Sequence, residues 1–251
     1  MGQKVDPKSF RLGIIKSWSS NWFAEKNYAD LLHRDLTLRR AIRERLPNSG
    51  IGEIEIESQA DQVKVKVFTS KPGLVIGRQG IALEELRQDL SHQFDEKIEI
   101  SVLEVRKPEL CAQFIAETVA EQITRRFPFR RAAKQAIKRA RDLGIKGIKL
   151  RIAGRLNGAD IARKESFKEG NIPLHTLRSN IDLGKAVART TYGAIGVKAW
   201  TYKGEIFQQD EKAKKITEDR NWLAESRKKT DTSPRAREMG RLETELTKNP
   251  R

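Results

Sequence analysis

Residues 73–80 read GLVIGRQG. The core of this stretch is a four-residue loop made of Gly77, Arg78, Gln79 and Gly80. Glycine has no Cβ, so it lets another backbone approach closely and adopts conformations that other residues avoid. The helical pattern that follows would present free N–H groups and the positive end of its dipole to a phosphate. A GxxG match alone is weak, because this spacing also occurs in plain tight turns. No Lys-Ser or Lys-Thr follows the glycines, which argues against a nucleotide-triphosphate site.

The hydrophobic periodicity on both sides of the loop supplies its context. Helical patterns cover 28–46 and 81–94, and alternating patterns predict two strands on either side of 59–61 and a third over 97–105. The order is therefore helix, strand, strand, glycine loop, helix, strand. This is the order of a type II KH domain, a module that clamps single-stranded nucleic acid with such a loop. We predict this domain, a helix on a three-stranded mixed sheet, over residues 28–107.

The pattern after Arg106-Lys107-Pro108 differs, and we place a domain boundary there. Two helices are predicted, over 108–126 and from Pro128 to Leu143. Four strands are then predicted around 148–152 and over 163–169, 183–191 and 195–203. Helices followed by strands indicate an α+β fold, in which two helices pack on one face of a four-stranded sheet over 108–207. Residues 1–27 are expected to be irregular. The tail over 208–251 has few apolar residues, and we assign it no role.

The second of these helices carries an unusual charge pattern. Residues 125–141 contain eight Lys or Arg residues and no Asp or Glu. On a helix, five cations fall within one arc of about 100°, and they are Arg130, Arg131, Lys134, Lys138 and Arg141. Alanines fill most of the opposite side, which predicts close packing on the sheet. A solvated basic surface is the ordinary interpretation of such a helix. The missing acids favour a polyanion instead. A membrane surface is disfavoured because alanine buries little area in lipid.

Composition supports a nucleic-acid partner and argues against several other classes. Lys and Arg number 50 against 34 Asp and Glu, which gives a net charge of +16. A single cysteine excludes a disulfide framework, and the three histidines lack metal-ligand spacing, so we expect no metal and no cofactor. No catalytic motif appears, and we predict that the protein is not an enzyme. No apolar run approaches membrane-spanning length and no signal peptide is seen, which indicates a cytoplasmic chain.

Further basic residues are candidates for RNA contact. In the second domain the acids are sparse around a glycine-punctuated basic stretch, which favours RNA contact over a solvated face. The candidates there are Arg151, Arg155, Arg163, Lys164 and Lys168. In the N-terminal segment, aromatic residues alternate with basic ones, and the candidates are Lys4, Arg11, Lys16 and Trp22. Such aromatics stack on bases or, with equal weight, anchor the segment on its own domain.

Several stretches resemble the family of the third protein of the bacterial small ribosomal subunit. They are MGQKVDP (1–7), FRLGI (10–14), KPGLVIGRQG (71–80), EVRKPEL (104–110), FRRAAKQAIKRA (129–140), GIKGIKLRIAGRLNGADIAR (144–163), EGNIPLHTLRSNIDL (169–183) and TTYGAIGVKAW (190–200). The resemblance covers residues 1–207. The chain departs from the family pattern at Asp6, where the family usually has His. It also departs in the glycine loop, which has Arg78 and Gln79 where two lysines are common. The tail does not match.

This resemblance implies an N-terminal type II KH domain and a C-terminal α/β domain in the head of the small ribosomal subunit. It implies binding to small-subunit rRNA and a place, with neighbouring ribosomal proteins, at the tunnel through which mRNA enters. It also implies that Arg130, Arg131 and Lys134 help to melt mRNA structure. Opening of the mRNA would be passive, with translocation supplying the work. The alternatives are a free KH-type RNA-binding regulator and an enzyme that acts on nucleic acid. The latter would need a metal site or an activated lysine.

Overall fold

The computed structural model describes residues 4–47, 49–59, 62–94 and 96–207. The first half of the chain forms a sheet with three helices, in the order β1 (Ser20–Asn21), α1 (Tyr28–Arg45), β2 (Ile51–Ser58), β3 (Val63–Thr69), α2 (Pro72–Ile76), α3 (Ile81–Phe94) and β4 (Ile98–Glu104). The strand order is β1-β2-β3-β4, with β2 antiparallel to β3 and β3 parallel to β4. The predicted mixed sheet is therefore confirmed.

Two details of this half differ from the prediction. The N-terminal segment is not wholly irregular: Ser9–Arg11 forms a short 3-10 helix, and β1 adds a fourth strand beside β2. The glycine loop does not follow a strand directly, because α2 lies between β3 and the loop. Pro72 explains α2, since its fixed φ favours the first turn of a helix. The two-residue β1 carries too little periodicity to be recognised in a sequence.

The core of the first half is built by alternation in the strands and by one face of each long helix. Every second residue of β3 is buried, as the sequence pattern predicts. Leu38 and Ile42 of α1 join Leu86 and Leu90 of α3 over the sheet. Burial of each such side chain contributes about 1.5–3 kcal/mol. The solvent side carries a row of Glu residues on β2 and a row of Lys residues on β3, with Glu55 opposite Lys66 and Glu57 opposite Lys64.

The second half forms a sheet covered by two helices. Its elements are α4 (Ala112–Thr124), α5 (Phe129–Asp142), β5 (Gly147–Gly154), β6 (Arg163–Gly170), β7 (Ser179–Thr190) and β8 (Gly193–Glu205). The strand order is β6-β5-β8-β7, and all pairs are antiparallel. The predicted architecture of two helices on a four-stranded sheet is confirmed. Residues 108–110 form a 3-10 turn, so α4 starts later than predicted.

Small residues let the helices lie close to this sheet. Ala132, Ala133 and Ala140 of α5 are fully buried in one core with the inward side chains of β5. Gly184 of β7 is needed for the same reason, since a Cβ there would lie 2.1 Å from the carbonyl oxygen of Ala112. The alanine face of α5 therefore packs as the sequence predicts, and its basic face is directed away from the core.

Buried polar contacts tie the N-terminal segment to the second half. Arg11 is fully buried. Its Nε donates to the carbonyl oxygen of Ser179 at 2.7 Å, and its Nη atoms donate to the carbonyls of Pro7, Pro173, Leu174 and Thr176. The prediction that Arg11 contacts rRNA is therefore corrected. Its guanidinium donors are already hydrogen-bonded to backbone carbonyl groups, and these carbonyls come together only in the folded chain.

The Asp182 carboxylate is the second anchor of this segment. It lies 2.9 Å from the ammonium of Lys8 and 3.7 Å from that of Lys16. It also accepts from the backbone N–H of Ala112 and of Leu183. Burial alone would raise the pKa of Asp182, but the charges of Lys8, Lys16 and Lys203 and the hydrogen bond from Lys8 outweigh it and hold the pKa below its ordinary value.

Asp182→Asn should destabilise the protein by about 3 kcal/mol at neutral pH, because it removes the nearer of the two carboxylates beside Lys8, at 2.9 Å against 3.8 Å for Glu53. The lowered pKa of Asp182 means that this contribution is present above the ordinary value of 3.8 and is lost as the pH falls through the folded value. Urea unfolding of both proteins between pH 7 and pH 3 measures it. The difference should shrink as the pH falls, and Asp142→Asn, at an exposed site, should change little. A difference independent of pH would contradict this account.

Candidate RNA interface

The α5 basic face consists of four exposed side chains, Arg130, Arg131, Lys134 and Lys138. Together with Phe127 they line one shallow depression. The guanidinium of Arg131 lies 5.4 Å from the centre of the Phe127 ring, which gives the depression a flat, cationic wall. Within the described ranges, Lys134 and Lys138 form no ion pair and no side-chain hydrogen bond, so their charges are available to a ligand.

Acids of β6 engage two other cations of α5. Arg130 donates through Nε and Nη2 to Glu165 at 3.2 and 3.1 Å, and Arg141 pairs with Glu169. The hydrogen bond from Arg130 lowers the pKa of Glu165. Because Arg130 is largely exposed, its pair contributes little stability, and a phosphate can replace the carboxylate. The absence of acids over residues 125–141 therefore does not leave every cation of α5 unpaired.

A second basic surface lies on the side of the sheet that faces away from the helices. We call it the basic sheet face, and its residues are Lys149, Arg151, Lys164, Lys168, Lys198 and Trp200. The register places Lys149 opposite both Lys168 and Trp200, and Arg151 opposite Lys198. Three of its cations, Arg151, Lys164 and Lys168, were predicted from the sequence.

Three residues of this face, Lys149, Lys198 and Trp200, were not predicted from the sequence. Alternation along β5 and β8 puts them on the face opposite the buried Ile148, Leu150 and Val197. That alternation was visible in the sequence as a strand signal. The sequence does not show which face of the sheet the two helices cover, and only the fold reveals that these residues lie on the uncovered face.

The basic sheet face holds like charges at directly opposed positions, an arrangement that destabilises an isolated sheet. Burial lowers the pKa of Lys149, and Lys4, Lys168 and Arg151 lower it further. The ammonium of Lys149 lies 5.6 Å from the centre of the Trp200 ring. The N-terminal Lys4 thus belongs to the same electrostatic cluster as two of the other predicted rRNA contacts. A polyanion would relieve this repulsion.

The remaining candidates are partly engaged by the protein itself. Arg155 donates to the carbonyl oxygen of Ala159 at 2.9 Å, and Arg163 lies 3.5 Å from Glu165. Trp22 is half-buried with its ring 5.3 Å from that of Tyr28, which supports the anchoring alternative for this residue.

Asp6 also has defined contacts within the chain. Its carboxylate accepts from the N–H of Lys8 and pairs with Lys185 at 3.0 Å. Asp6 therefore holds the turn that precedes the 3-10 helix and links it to β7.

The glycine loop joins α2 to α3, and its two glycines have different roles. Both have positive φ, +72° at Gly77 and +83° at Gly80. A Cβ on Gly77 would lie 2.6 Å from the Cβ of Ala82, so this glycine permits the packing of α3. A Cβ on Gly80 would meet open space, which leaves room for a ligand backbone. Arg78 is exposed and has no ion pair among the residues that the structure describes.

The described part of the chain shows neither a metal site nor a membrane-spanning helix. No group of three or more His, Cys, Asp or Glu residues could hold a metal ion there. No described helix is long and apolar enough to span a membrane. The half-buried Cys111 precedes α4, and burial followed by the charge of Asp182 raises the pKa of its thiol. A thiol with a raised pKa is a poor nucleophile.

Comparison with known proteins agrees with both halves of the fold. A family model described as KH domain matches residues 37–110, and one described as the C-terminal domain of ribosomal protein S3 matches residues 119–201. Small ribosomal subunit protein uS3 of Syntrophobacter fumaroxidans is 53% identical over 206 residues, which cover 82% of this chain and 99% of that protein. The chain belongs to the uS3 family. The uS3 proteins of Desulfitobacterium hafniense and Bacillus cytotoxicus are each 50% identical, over 87% and 85% of this chain and 98% and 97% of their own.

Membership of the uS3 family confirms the resemblance, the KH domain and the prediction that the protein is a ribosomal component rather than an enzyme. It accounts for RNA binding and a role in translation. These comparisons do not assign the residues that contact RNA. They also do not test the predicted boundary between the two domains after residue 107. Both stay predictions.

Lys168→Gln should raise the stability of the free protein by up to about 1 kcal/mol, because it removes one of two opposed charges. The same change should weaken binding to small-subunit rRNA and reduce the log–log salt slope by about 0.7–0.9. Urea unfolding and fluorescence anisotropy with labelled rRNA measure the two effects. Lys26→Gln, an exposed site on the first half, is the control and should change neither. A stabilised variant with unaltered RNA affinity would contradict the assignment of this face.

Proposed function

We propose that this chain is a structural component of the small-subunit head that holds rRNA on the basic sheet face and mRNA on the α5 basic face. The mRNA contact would lie at the tunnel through which mRNA enters, alongside neighbouring ribosomal proteins. The observation that carries the proposal is the pairing pattern on α5. Lys134 and Lys138 are unpaired within the described residues, and Arg131 rests on an exposed ring.

The α5 basic face is suited to hold a strand without reading its sequence. Lys134 and Lys138 are one helical turn apart, so their charges form a row along the helix. Each phosphate that they neutralise releases counterions, which gives affinity independent of base identity. The flat wall formed by Arg131 and Phe127 offers a stacking surface to an unpaired base. These features favour a separated strand over a duplex, in which the bases are already stacked on each other.

Unwinding by such a face would be passive. The strand that has been opened by thermal fluctuation or by translocation is held by the cations, so re-pairing becomes less favourable. Arg130 would join this contact by exchanging Glu165 for a phosphate, which is feasible because the pair is exposed. No nucleotide hydrolysis is required, and the glycine loop lacks the residues that would bind a triphosphate.

The rRNA contacts are proposed for the opposite side of the same sheet. They comprise Lys4, Arg151, Arg155, Arg163, Lys164 and Lys168, with Lys149, Lys198 and Trp200 added from the structure. Lys16 and Trp22 of the N-terminal segment are retained as weaker candidates, because each is engaged within the chain. The loop from Gly77 to Gly80 would clamp an RNA backbone through Arg78 and the open side of Gly80. We propose the cytoplasmic ribosome as the location.

Replacement of Arg130, Arg131 and Lys134 by Ala should slow translation through structured mRNA and leave unstructured mRNA unaffected, because only opened strands need to be held. Small subunits reconstituted with the variant, assayed on paired messages that differ in one hairpin, measure the effect. The matched control removes three exposed cations of the first half, Lys26, Arg40 and Arg106. Equal slowing on both messages, or an equal effect of the control variant, would contradict the unwinding role.

The alternative of a free KH-type RNA-binding regulator is disfavoured by the match to the uS3 family over both halves. Sedimentation of a lysate separates the two proposals. A ribosomal component should co-migrate quantitatively with small subunits, whereas a free regulator should remain at the top of the gradient.

A further inference from the structure

The basic sheet face contains a glycine that the fold does not require. Gly196 lies in the middle of β8 between the buried Ile195 and Val197, so a side chain there would point to the open side of the sheet. Its φ lies outside the left-handed region, and a Cβ built on it would meet only the carbonyl oxygen of Ala153, at an ordinary 3.9 Å. A glycine in the interior of a strand weakens that strand. Neither backbone conformation nor packing offsets this cost at Gly196.

The other glycines of this sheet have a structural reason. A Cβ on Gly147 would lie 1.9 Å from the carbonyl oxygen of Asn171, and a Cβ on Gly184 would lie 2.1 Å from that of Ala112. The remaining glycines of β5 to β8 have positive φ. Of the described glycines in these four strands, Gly196 is therefore the exception. A strand glycine of this kind is typical of a place where a ligand comes close to the backbone.

Uncharged side chains flank Gly196 on the neighbouring strands. The register places Ala153 of β5 on one side of it and Val187 of β7 on the other. Val187 is 63% exposed, so this end of the row is open to solvent. We call these three residues the Gly196 trough. It crosses three strands and carries neither a charge nor a polar side chain.

Cations stand on both sides of the Gly196 trough. Arg151 and Lys198 occupy the next outward positions on one side, and Arg189 of β7 occupies the next outward position on the other. Lys164 of β6 lies at the end of the trough. None of these four has an ion pair within the part of the chain that the structure describes. The two sides are about 13 Å apart along the strands, because each residue of a strand rises about 3.3 Å.

The aromatic side chain of the basic sheet face is not available for stacking. Trp200 is half-buried, and the ammonium of Lys149 lies 5.6 Å from the centre of its ring. Proteins that bind single strands stack the bases on exposed aromatic rings. The cations beside the trough are also held in fixed register by β5 and β8, the two central strands of the sheet. Fixed charges without a stacking surface favour a rigid ligand whose bases are already paired.

We propose that one sugar–phosphate backbone of a double-helical rRNA segment lies along the Gly196 trough. The backbone comes closest to the protein at Gly196, and its phosphates contact Arg151 and Lys198 on one side and Arg189 on the other. The bases point away and pair with the second strand, so that the contact positions the RNA without reading its sequence. A single strand is disfavoured because its unpaired bases would find no exposed ring here. The proposal rests on the proposed rRNA contact of this face and specifies its ligand.

The test uses the full chain, a labelled RNA duplex of about 16 base pairs, and octauridine as the single strand. Fluorescence anisotropy measures both affinities at about 0.15 M salt, where long-range attraction between charges is screened. We expect the unaltered chain to bind both ligands, the duplex on the sheet and octauridine on the α5 basic face. Gly196→Val should weaken duplex binding about tenfold or more, because its side chain would hold the backbone away. Octauridine binding should be unchanged.

Further variants separate a loss of space from a loss of fold. Gly196→Ala adds a single methyl group and should give a smaller loss of duplex affinity in the same direction. Val187→Ala widens the trough and should keep full affinity. The control Ala29→Val adds bulk at an exposed site of α1 and should bind both ligands as the unaltered chain does. The urea midpoint of Gly196→Val should not fall, because valine favours strands. If it does fall, Gly196→Ala carries the comparison.

Three results would overturn the proposal: full duplex affinity in the folded Gly196 variants, equal losses for duplex and octauridine, or no binding of the duplex to the unaltered chain. The rRNA contact of the face would survive each of them if Lys168→Gln still weakens binding to small-subunit rRNA. If Lys168→Gln and Gly196→Val both bind that rRNA with full affinity, the proposed function of the face fails as well.

Discussion

The close packing of small residues between α5 and the second sheet is the constraint on which both basic surfaces of the second half depend. Ala132, Ala133 and Ala140 are fully buried, and they let the helix lie directly on the inward side chains of β5. Larger side chains would push the helix outward or rotate it. One face of α5 and one face of the sheet are buried against each other in this core. The cations of both elements therefore lie on the opposite faces, which point away from the core. Two separate basic surfaces follow from one packed layer.

The distribution of acids then differentiates these surfaces. The acids that pair with cations of α5 lie on β6, where Glu165 partners Arg130 and Glu169 partners Arg141. Lys134 and Lys138 have no ion pair within the described chain. On the basic sheet face, cations oppose cations across the strands, and the lowered pKa of Lys149 reports the burial and repulsion there. A surface under such repulsion gains most from a permanent polyanion. A surface of single, mobile lysines is better suited to a strand that must slide past. The division between structural rRNA and moving mRNA is thus consistent with the local electrostatics.

Local patterns in the sequence predicted much of this arrangement. The helical period fixed both faces of α5, and strand alternation with glycine spacing predicted the KH order. Nonlocal features escaped prediction. Arg11 looked like an RNA contact because its charge is visible in the sequence, whereas the carbonyls of Ser179 and Thr176 that bury it are more than 160 residues away. Lys149 and Trp200 were missed because strand alternation does not say which face the helices cover.

The central claim is that the basic sheet face is occupied by rRNA and the α5 basic face by mRNA. Lysine acetylation, quantified by mass spectrometry on the free protein and on small subunits with and without a long mRNA, tests it most directly. The account predicts that Lys149, Lys168 and Lys198 are protected in subunits whether or not mRNA is present. It predicts that Lys134 and Lys138 stay reactive until mRNA is added. Sheet lysines that react in subunits as they do in the free protein, or α5 lysines that are indifferent to mRNA, would contradict it.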